Sequence, residues 1–342
     1  VSVRQDLLKA VNKKYGDETL ISGSDLKDRV VQRITTGSLS FDLMLGGGWP
    51  VNHWNEVIGQ PSSGKTVLAM KTVAANQAKD PNFETLWIAA EDFVSGWAET
   101  AGMDLNRVDI IETNVMEHVF EIIVQALDVR AYDCIVIDSY PALVPGDEAE
   151  KEVKDAGVAL GAKLSAKFYR KGRKTGRRSL IEDDRQWTGI VINQWRESIG
   201  VMFGDPRTTP GGKAKDYEYF TRVEVARDDW IISDSKSRVG ITMKAKTIKN
   251  KTAPVFRAGA VDFYFENVPG FAAGQFDSVK ELFNIAVAYG IIERGGSTYS
   301  YLGDRIGKSK DESLMVLRST PDLFKSVESE VRFHAAPLAK DA

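Results

Sequence analysis

Between Thr35 and about Asn193, short unbroken apolar runs alternate with stretches of helical spacing. Thr85-Leu86-Trp87-Ile88-Ala89-Ala90, Cys134-Ile135-Val136-Ile137 and Gly189-Ile190-Val191-Ile192 carry no charged interruption, and Asn55-Glu56-Val57-Ile58 reads as a further short strand. Between them Val119, Phe120, Ile123, Val124 and Leu127 fall on one face of a helix. Strands apolar on both sides and separated by helices predict an α/β fold, with a mostly parallel, twisted central sheet flanked by helices. Ligands on such sheets bind at the carboxyl ends of the strands.

The pattern changes at either end. Residues 3–15 read as a short amphipathic helix with Val3, Leu7, Leu8 and Val11 on one face, set off by polar sequence around Gly16 and Gly23. This helix either docks on a neighbour or packs on its own core. After Gly211-Gly212, Tyr219–Ala226, Val239–Ile248 and Val255–Phe265 read as strands that extend the sheet, and Ser278–Tyr289 as an amphipathic helix. Three units are expected: 1–34, an N-terminal helix and linker; 35–274, the core; and 275–342, a small α+β domain.

The most specific chemistry lies at Gly59-Gln60-Pro61-Ser62-Ser63-Gly64-Lys65-Thr66, which fits G-x-x-x-x-G-K-[ST] between a strand and a helix that starts at Val67. The glycines let the backbone N–H groups turn inward onto phosphate oxygens. The helix adds its positive N-terminal end. Lys65 is placed for the β- and γ-phosphates and the Thr66 hydroxyl for Mg2+, so ATP or GTP is the expected ligand. Ile135-Val136-Ile137-Asp138-Ser139 ends in a carboxylate suited to the same cation. Glu91, at the end of the strand before it, suits a general base that polarises water, or is an ordinary solvated residue.

Net charge is −3, so a nucleic-acid site must be a local patch. One candidate is Lys163 to Arg178, with eight basic residues inside a stretch (156–181) free of Asp and Glu. It is either a phosphate-binding element or a solvated helix face and loop. Another is the Gly/Thr-rich segment from Arg196 to Lys213, whose Ile199, Val201, Met202 and Phe203 suggest insertion among stacked bases. Cys134 is the one cysteine and sits in an apolar run; His53, His118 and His334 lack metal-type spacing. No apolar run approaches the ~20 residues of a membrane span. The opening residues do not read as a signal peptide, so the expected location is the cytosol.

These segments together resemble the bacterial RecA recombinases over nearly the whole chain. The resemblance rests on Thr36-Gly37-Ser38-Leu39-Ser40 with Asp42, the Pro61-to-Thr66 core and Ile137-Asp138-Ser139. Its most specific part is Ile192-Asn193-Gln194 with Ile199-Gly200-Val201-Met202-Phe203-Gly204, Pro206, Thr208-Thr209 and Gly211-Gly212. Lys249-Asn250-Lys251 and Tyr299-Ser300-Tyr301 also match. The resemblance implies a RecA-like P-loop ATPase core that uses ATP and Mg2+. It implies a homo-oligomeric helical filament on single-stranded DNA that pairs with a homologous duplex.

Position by position, the resemblance makes Glu91 the activator of water and Lys65 a catalytic cation. Trp97 stacks on adenine, and Gly59, Pro61, Ser62, Ser63, Gly64, Thr66, Val67, Asp138, Ser139 and Phe265 complete the nucleotide site. Gln194 senses the γ-phosphate, and Lys249 and Lys251 reach the neighbouring subunit's nucleotide. Val158, Lys163 and Arg170 form the first DNA-binding element. The second runs from Arg196 through Ile199, Gly200, Val201, Met202, Phe203, Thr208, Thr209, Pro210, Gly211 and Gly212 to Lys213.

The chain departs from the family at Ala89-Ala90, which lacks the usual acidic residue before Ala-Glu. It departs again at Arg207, Pro210 and Lys213, in the basic stretch after Arg173, and in a tail (337–342) without the acidic run. These changes suggest a diverged member of bacterial or bacteriophage origin, less autoinhibited by its tail. A ring helicase of the same fold and an ATP-binding filament mediator with little turnover are the competing readings.

Overall fold

The computed structural model describes residues 2–16, 19–23, 31–146, 158–181, 185–197, 206–255 and 257–335; of residues 158–159, 173–181 and 213–214 it describes the backbone alone. In chain order the elements begin with α1 (Val3–Tyr15), β1 (Arg33–Ile34), α2 (Leu39–Leu45), β2 (Trp49–Pro50), β3 (His53–Ile58), α3 (Lys65–Gln77) and β4 (Thr85–Ala89). There follow α4 (Ser95–Thr100), β5 (Val108–Ile111), α5 (Met116–Val129), β6 (Cys134–Asp138), α6 (Val158–Ile181) and β7 (Thr188–Asn193). The second half holds β8 (Arg196–Glu197), β9 (Arg207–Thr208), α7 (Lys213–Glu218), β10 (Thr221–Ile232), β11 (Arg238–Asn250) and β12 (Ala258–Tyr264). Last come α8 (Ser278–Ala288), β13 (Ile292–Gly295), β14 (Thr298–Tyr301), β15 (Asp304–Gly307), α9 (Lys310–Ser319) and α10 (Pro321–Ala335).

Eight strands form one sheet in the order β12-β11-β10-β3-β7-β6-β4-β5. The run from β10 to β5 is parallel throughout, and β11 and β12 add to it antiparallel. The three strands expected after Gly212 thus do extend the sheet. β5 was not foreseen, because its burial is only partial and its four residues carry little pattern.

Strand alternation supplies two layers from each apolar run. Trp87, Ala89, Cys134, Val136, Ile190 and Ile192 face one cluster with Phe41, Trp49, Leu68 and Val73 from the α2–α3 side. Leu86, Ile88, Ile135, Ile137 and Val191 face the other, with Val119, Phe120 and Ile123 of α5 and Phe168 and Tyr169 of α6. Continuous apolar strands are required because both faces are dry.

A third cluster, with Leu282, Phe283, Ile292, Tyr299, Leu317 and Val331, belongs to the C-terminal unit of α8, the three-stranded β13-β14-β15 sheet, α9 and α10. Glu281 fastens this unit to the core. Its carboxylate is 4% exposed and accepts from Leu39 N at 3.2 Å, Ser40 N at 2.9 Å and the Ser38 hydroxyl. It therefore satisfies the first N–H groups of α2. At the other end of the chain, α1 begins with a capping box between Ser2 and Gln5, yet none of its residues is buried.

The basic stretch from Lys163 to Arg178 lies within a single helix, α6, rather than a helix and a loop.

Candidate nucleotide and nucleic-acid site

Four neighbouring strand ends converge on the P-loop. Gly59 follows β3 directly, and the loop closes at Gly64, the N-cap of α3. Ile58 pairs with Asn193 across the β3–β7 register, so Gln194 emerges beside Gly59. Asp138 ends β6 opposite Ala89 of β4, and Glu91 N donates to Asp138 O at 3.1 Å. The structure therefore brings Lys65, Thr66, Glu91, Asp138, Ser139 and Gln194 to one sheet edge from well-separated parts of the sequence.

Two glycines of the loop resist a side chain, Gly59 for want of space and Gly64 for its positive φ. A Cβ at Gly59 would stand 2.3 Å from Val225 O, and one at Gly64, where φ is +95°, 2.7 Å from Met243 Cε. Lys65 is 8% exposed and donates to Gln60 O at 2.8 Å. The Ser63 hydroxyl is buried and has no hydrogen-bond partner among the described residues. A cradle with a fixed ammonium and an unsatisfied donor fits an incoming polyphosphate.

Burial raises the Asp138 carboxyl to about 6; the Thr66 hydroxyl and Lys65 oppose the rise, and the Glu91 charge adds to it. Burial also lowers the Lys65 ammonium, which the Asp138 and Glu91 charges hold up. The Ser139 hydroxyl donates to Glu91 Oε1. Among the described residues no set of three or more His, Cys, Asp or Glu side chains gathers for a metal. A cation at Thr66 and Asp138 would take its remaining ligands from phosphate and water, as Mg2+ does.

A cleft of ≈ 390 Å³ opens beside the loop, lined by Ser62 to Val67 and by Trp97, Trp230, Ile241, Phe263 and Phe265. Trp97 and Phe265, expected from the sequence, are both in it. Trp230, Ile241 and Phe263 were missed, since they reach the cleft only through the β10–β11–β12 pairing. Trp230 lies edge-on to Phe265 at 6.4 Å, with the Arg227 and Arg238 guanidiniums 4.2 and 4.4 Å from its ring centre.

Lys249 and Lys251 are not brought to this cleft. Lys249 lies eight residues along β11 from Ile241, about 27 Å away. Its ammonium donates to the carbonyls of Asp216 and Tyr217, the latter at 3.3 Å. Lys251 Nζ is 3.5 Å from the same Tyr217 oxygen. Burial, then the neighbouring Lys251 and Arg222 charges, lower Lys249 to about 8.

The two candidate DNA elements meet. Lys163 and Arg170 are exposed on α6; Val158 starts that helix. Arg196 on β8 pairs with Thr208 on β9, forming a short antiparallel base for the second segment, and both residues are exposed. Ile199, Gly200, Val201, Met202 and Phe203 lie outside the described residues. Thr209 is buried, and beyond it Gly211 and Gly212 press on Tyr140 and Ala162: a Cβ would stand 2.7 and 3.1 Å from them. Pro210, Arg196, Gly161 and Ala162 share one shallow pocket. Lys213 opens α7.

Comparison with known proteins accords with this geometry. The family profile described as RecA N-terminal domain matches residues 3–269, and that described as RecA C-terminal domain matches residues 280–336. A Protein RecA of Thermus aquaticus is 34% identical over 329 residues, covering 96% of this chain and 92% of its own length. A Protein RecA of Lactobacillus acidophilus is 35% identical over 327 residues, covering 95% and 86%.

Proposed function

The chain belongs to the RecA family of homologous-recombination ATPases, and on that ground we propose a role for each part of its site. As a member it is a DNA-dependent ATPase acting as a homologous recombinase. The observation that carries the hydrolytic assignment is the convergence of Lys65, Thr66, Glu91, Asp138 and Gln194 at adjacent strand ends.

The triphosphate lies on the Gly59–Thr66 backbone with Lys65 against its outer phosphates, so that charge developing in the transition state meets fixed donors. Thr66 and Asp138 would hold Mg2+, which would supply positive charge against the phosphates. Glu91 polarises the attacking water, oriented by the Ser139 hydroxyl. The adenine enters the aromatic cleft beside Trp97 and Phe265. Lys249 and Lys251, remote from their own P-loop, serve a neighbouring subunit's nucleotide, which makes turnover depend on assembly. The exposed apolar side of α1 supplies a contact between subunits.

Single-stranded DNA runs along α6 and the segment from Arg196 to Lys213, where Lys163, Arg170 and Arg196 meet phosphates and the apolar residues 199–203 meet bases. Gln194 links the γ-phosphate to that segment. The cytoplasm, of a bacterium or of a phage's host, is where such a filament would act. Mixing protein, ATP, single-stranded DNA and a homologous duplex tests the function. Joint molecules are expected; unwinding of a forked duplex without pairing would make the protein a helicase instead.

A further inference from the structure

Glu56 and Lys215 are both fully buried, at 0% exposure. A lysine in that state requires partners, and these have a definite layout. Lys215 Nζ lies 3.7 Å from Glu56 Oε1, 2.7 Å from Asp216 Oδ1 and 2.5 Å from Thr209 Oγ1. Its ammonium also sits 5.7 Å from the Tyr219 ring centre. Arg222 Nε donates to Glu56 Oε2 at 2.5 Å, and Arg222 Nη2 reaches Thr209 Oγ1 at 3.3 Å and Asp216 Oδ1 at 3.4 Å. Glu56 Oε1, the oxygen nearer Lys215, also accepts from Asn193 Nδ2 at 2.7 Å, and Asn193 Oδ1 accepts from Gln194 N at 2.9 Å.

We propose that Lys215 is a positioning residue that clamps the exit of the second DNA-binding segment to the P-loop strand, coupling nucleotide state to DNA affinity. The inference rests on the recombinase reading above. Glu56 lies three residues before Gly59 on β3, and Thr209 lies immediately before Pro210-Gly211-Gly212. One carboxylate therefore holds both the residue beside Gln194 and the cations that hold Thr209. An ion pair without access to water cannot lose one member and keep the other in place. When Gln194 moves, Asn193 and Glu56 move with it, and Lys215 carries Thr209. Lys213-Ala214-Lys215-Asp216 reads as a solvated polar run, so pattern alone would place Lys215 outside.

The test measures the ratio of single-stranded DNA affinities with and without a non-hydrolysable ATP analogue. It uses the full chain, with analogue affinity and thermal melting read alongside. Lys215→Met keeps the aliphatic stem and removes the charge. It is expected to leave analogue affinity within about twofold and to cut the affinity ratio by about tenfold, inside the usual range of coupling between sites. Lys215→Gln, which keeps an N–H donor for Thr209, should recover part of the loss, an effect that a generally loosened fold would not show. If Lys215→Met does not fold, Glu56→Gln, which retains a carbonyl acceptor, reads the same ratio and should lower it. A folded variant with an unchanged ratio, or with analogue and DNA binding reduced in equal measure, overturns the clamp. An unmodified protein whose DNA affinity ignores the analogue overturns the recombinase reading and the clamp with it.

Discussion

Replacing Asp138 with Asn should stabilise the nucleotide-free protein while disabling it. Asp138 is 9% exposed, and burial, reinforced by the Glu91 charge, lifts its carboxyl from 3.8 to about 6. A folded-state value above the unfolded one means that between about pH 4 and 6 the native state binds more protons than the unfolded state. Stability therefore falls as pH rises through that window and stays at its lower level above it. The difference between 3.8 and about 6 corresponds to about 3 kcal/mol at neutral pH. Lys65 loses one of its two supporting charges in the variant, which offsets part of the gain. A net increase of about 1–2 kcal/mol is expected.

Thermal or urea melts of the two proteins at pH 7.5 and pH 5, in chelator without nucleotide, read this directly. Asp138→Asn should melt higher at pH 7.5, and its advantage should shrink at pH 5. Addition of Mg2+ and an ATP analogue should then raise the unmodified protein more than the variant, by mass action. A variant that melts lower at pH 7.5, or an advantage that does not shrink on acidification, would refute the argument.

The same geometry leads to three further outcomes. The role proposed for Lys249 needs its ammonium charged, and burial with the Lys251 and Arg222 charges lowers it to about 8, so hydrolysis that depends on it should decline as pH rises above that value. Lys249→Arg should remove the decline, and a profile indifferent to the substitution would show that Lys249 does not set it. Replacing Arg177 and Arg178 with Ala should lower the slope of log affinity against log salt for single-stranded DNA by about 1.4; an unchanged slope returns them to a solvated surface. Glu281→Ala strands the Ser38, Leu39 and Ser40 donors and should destabilise the protein by about 2–4 kcal/mol, seen as earlier melting or earlier proteolytic release of the C-terminal unit. A melt within a degree of the unmodified protein would mean that water satisfies those donors.

Much of the candidate nucleotide site was legible because its signals are local. The P-loop carries its own spacing, and Glu91 and Asp138 stand where apolar strands stop. The parallel core could be read from runs without alternation, as the two dry faces explain. Features that depend on distant pairing escaped reading. Trp230 gains its place in the cleft only because β10 pairs with β3 and β11. Lys215 and Glu56 are separated by 159 positions and look solvated one at a time. Glu281 reads as an ordinary helix carboxylate until α2 is laid against it. The continuation of α6 through the basic stretch was hidden by residues of weak helical pattern.

The parallel pairing of β3 with β7, from His53 opposite Thr188 to Ile58 opposite Asn193, carries a rule about length. Removing one residue from either strand would displace the rest of that strand by about 3.3 Å. It would also turn every later side chain to the opposite face, sending Asn193 away from Glu56. An added residue or two in the turn after α3 would cost only a little closure entropy. This chain can therefore drift in length at its turns, whereas its two central strands act as rulers whose count sets how Gly59 stands to Asn193 and Gln194.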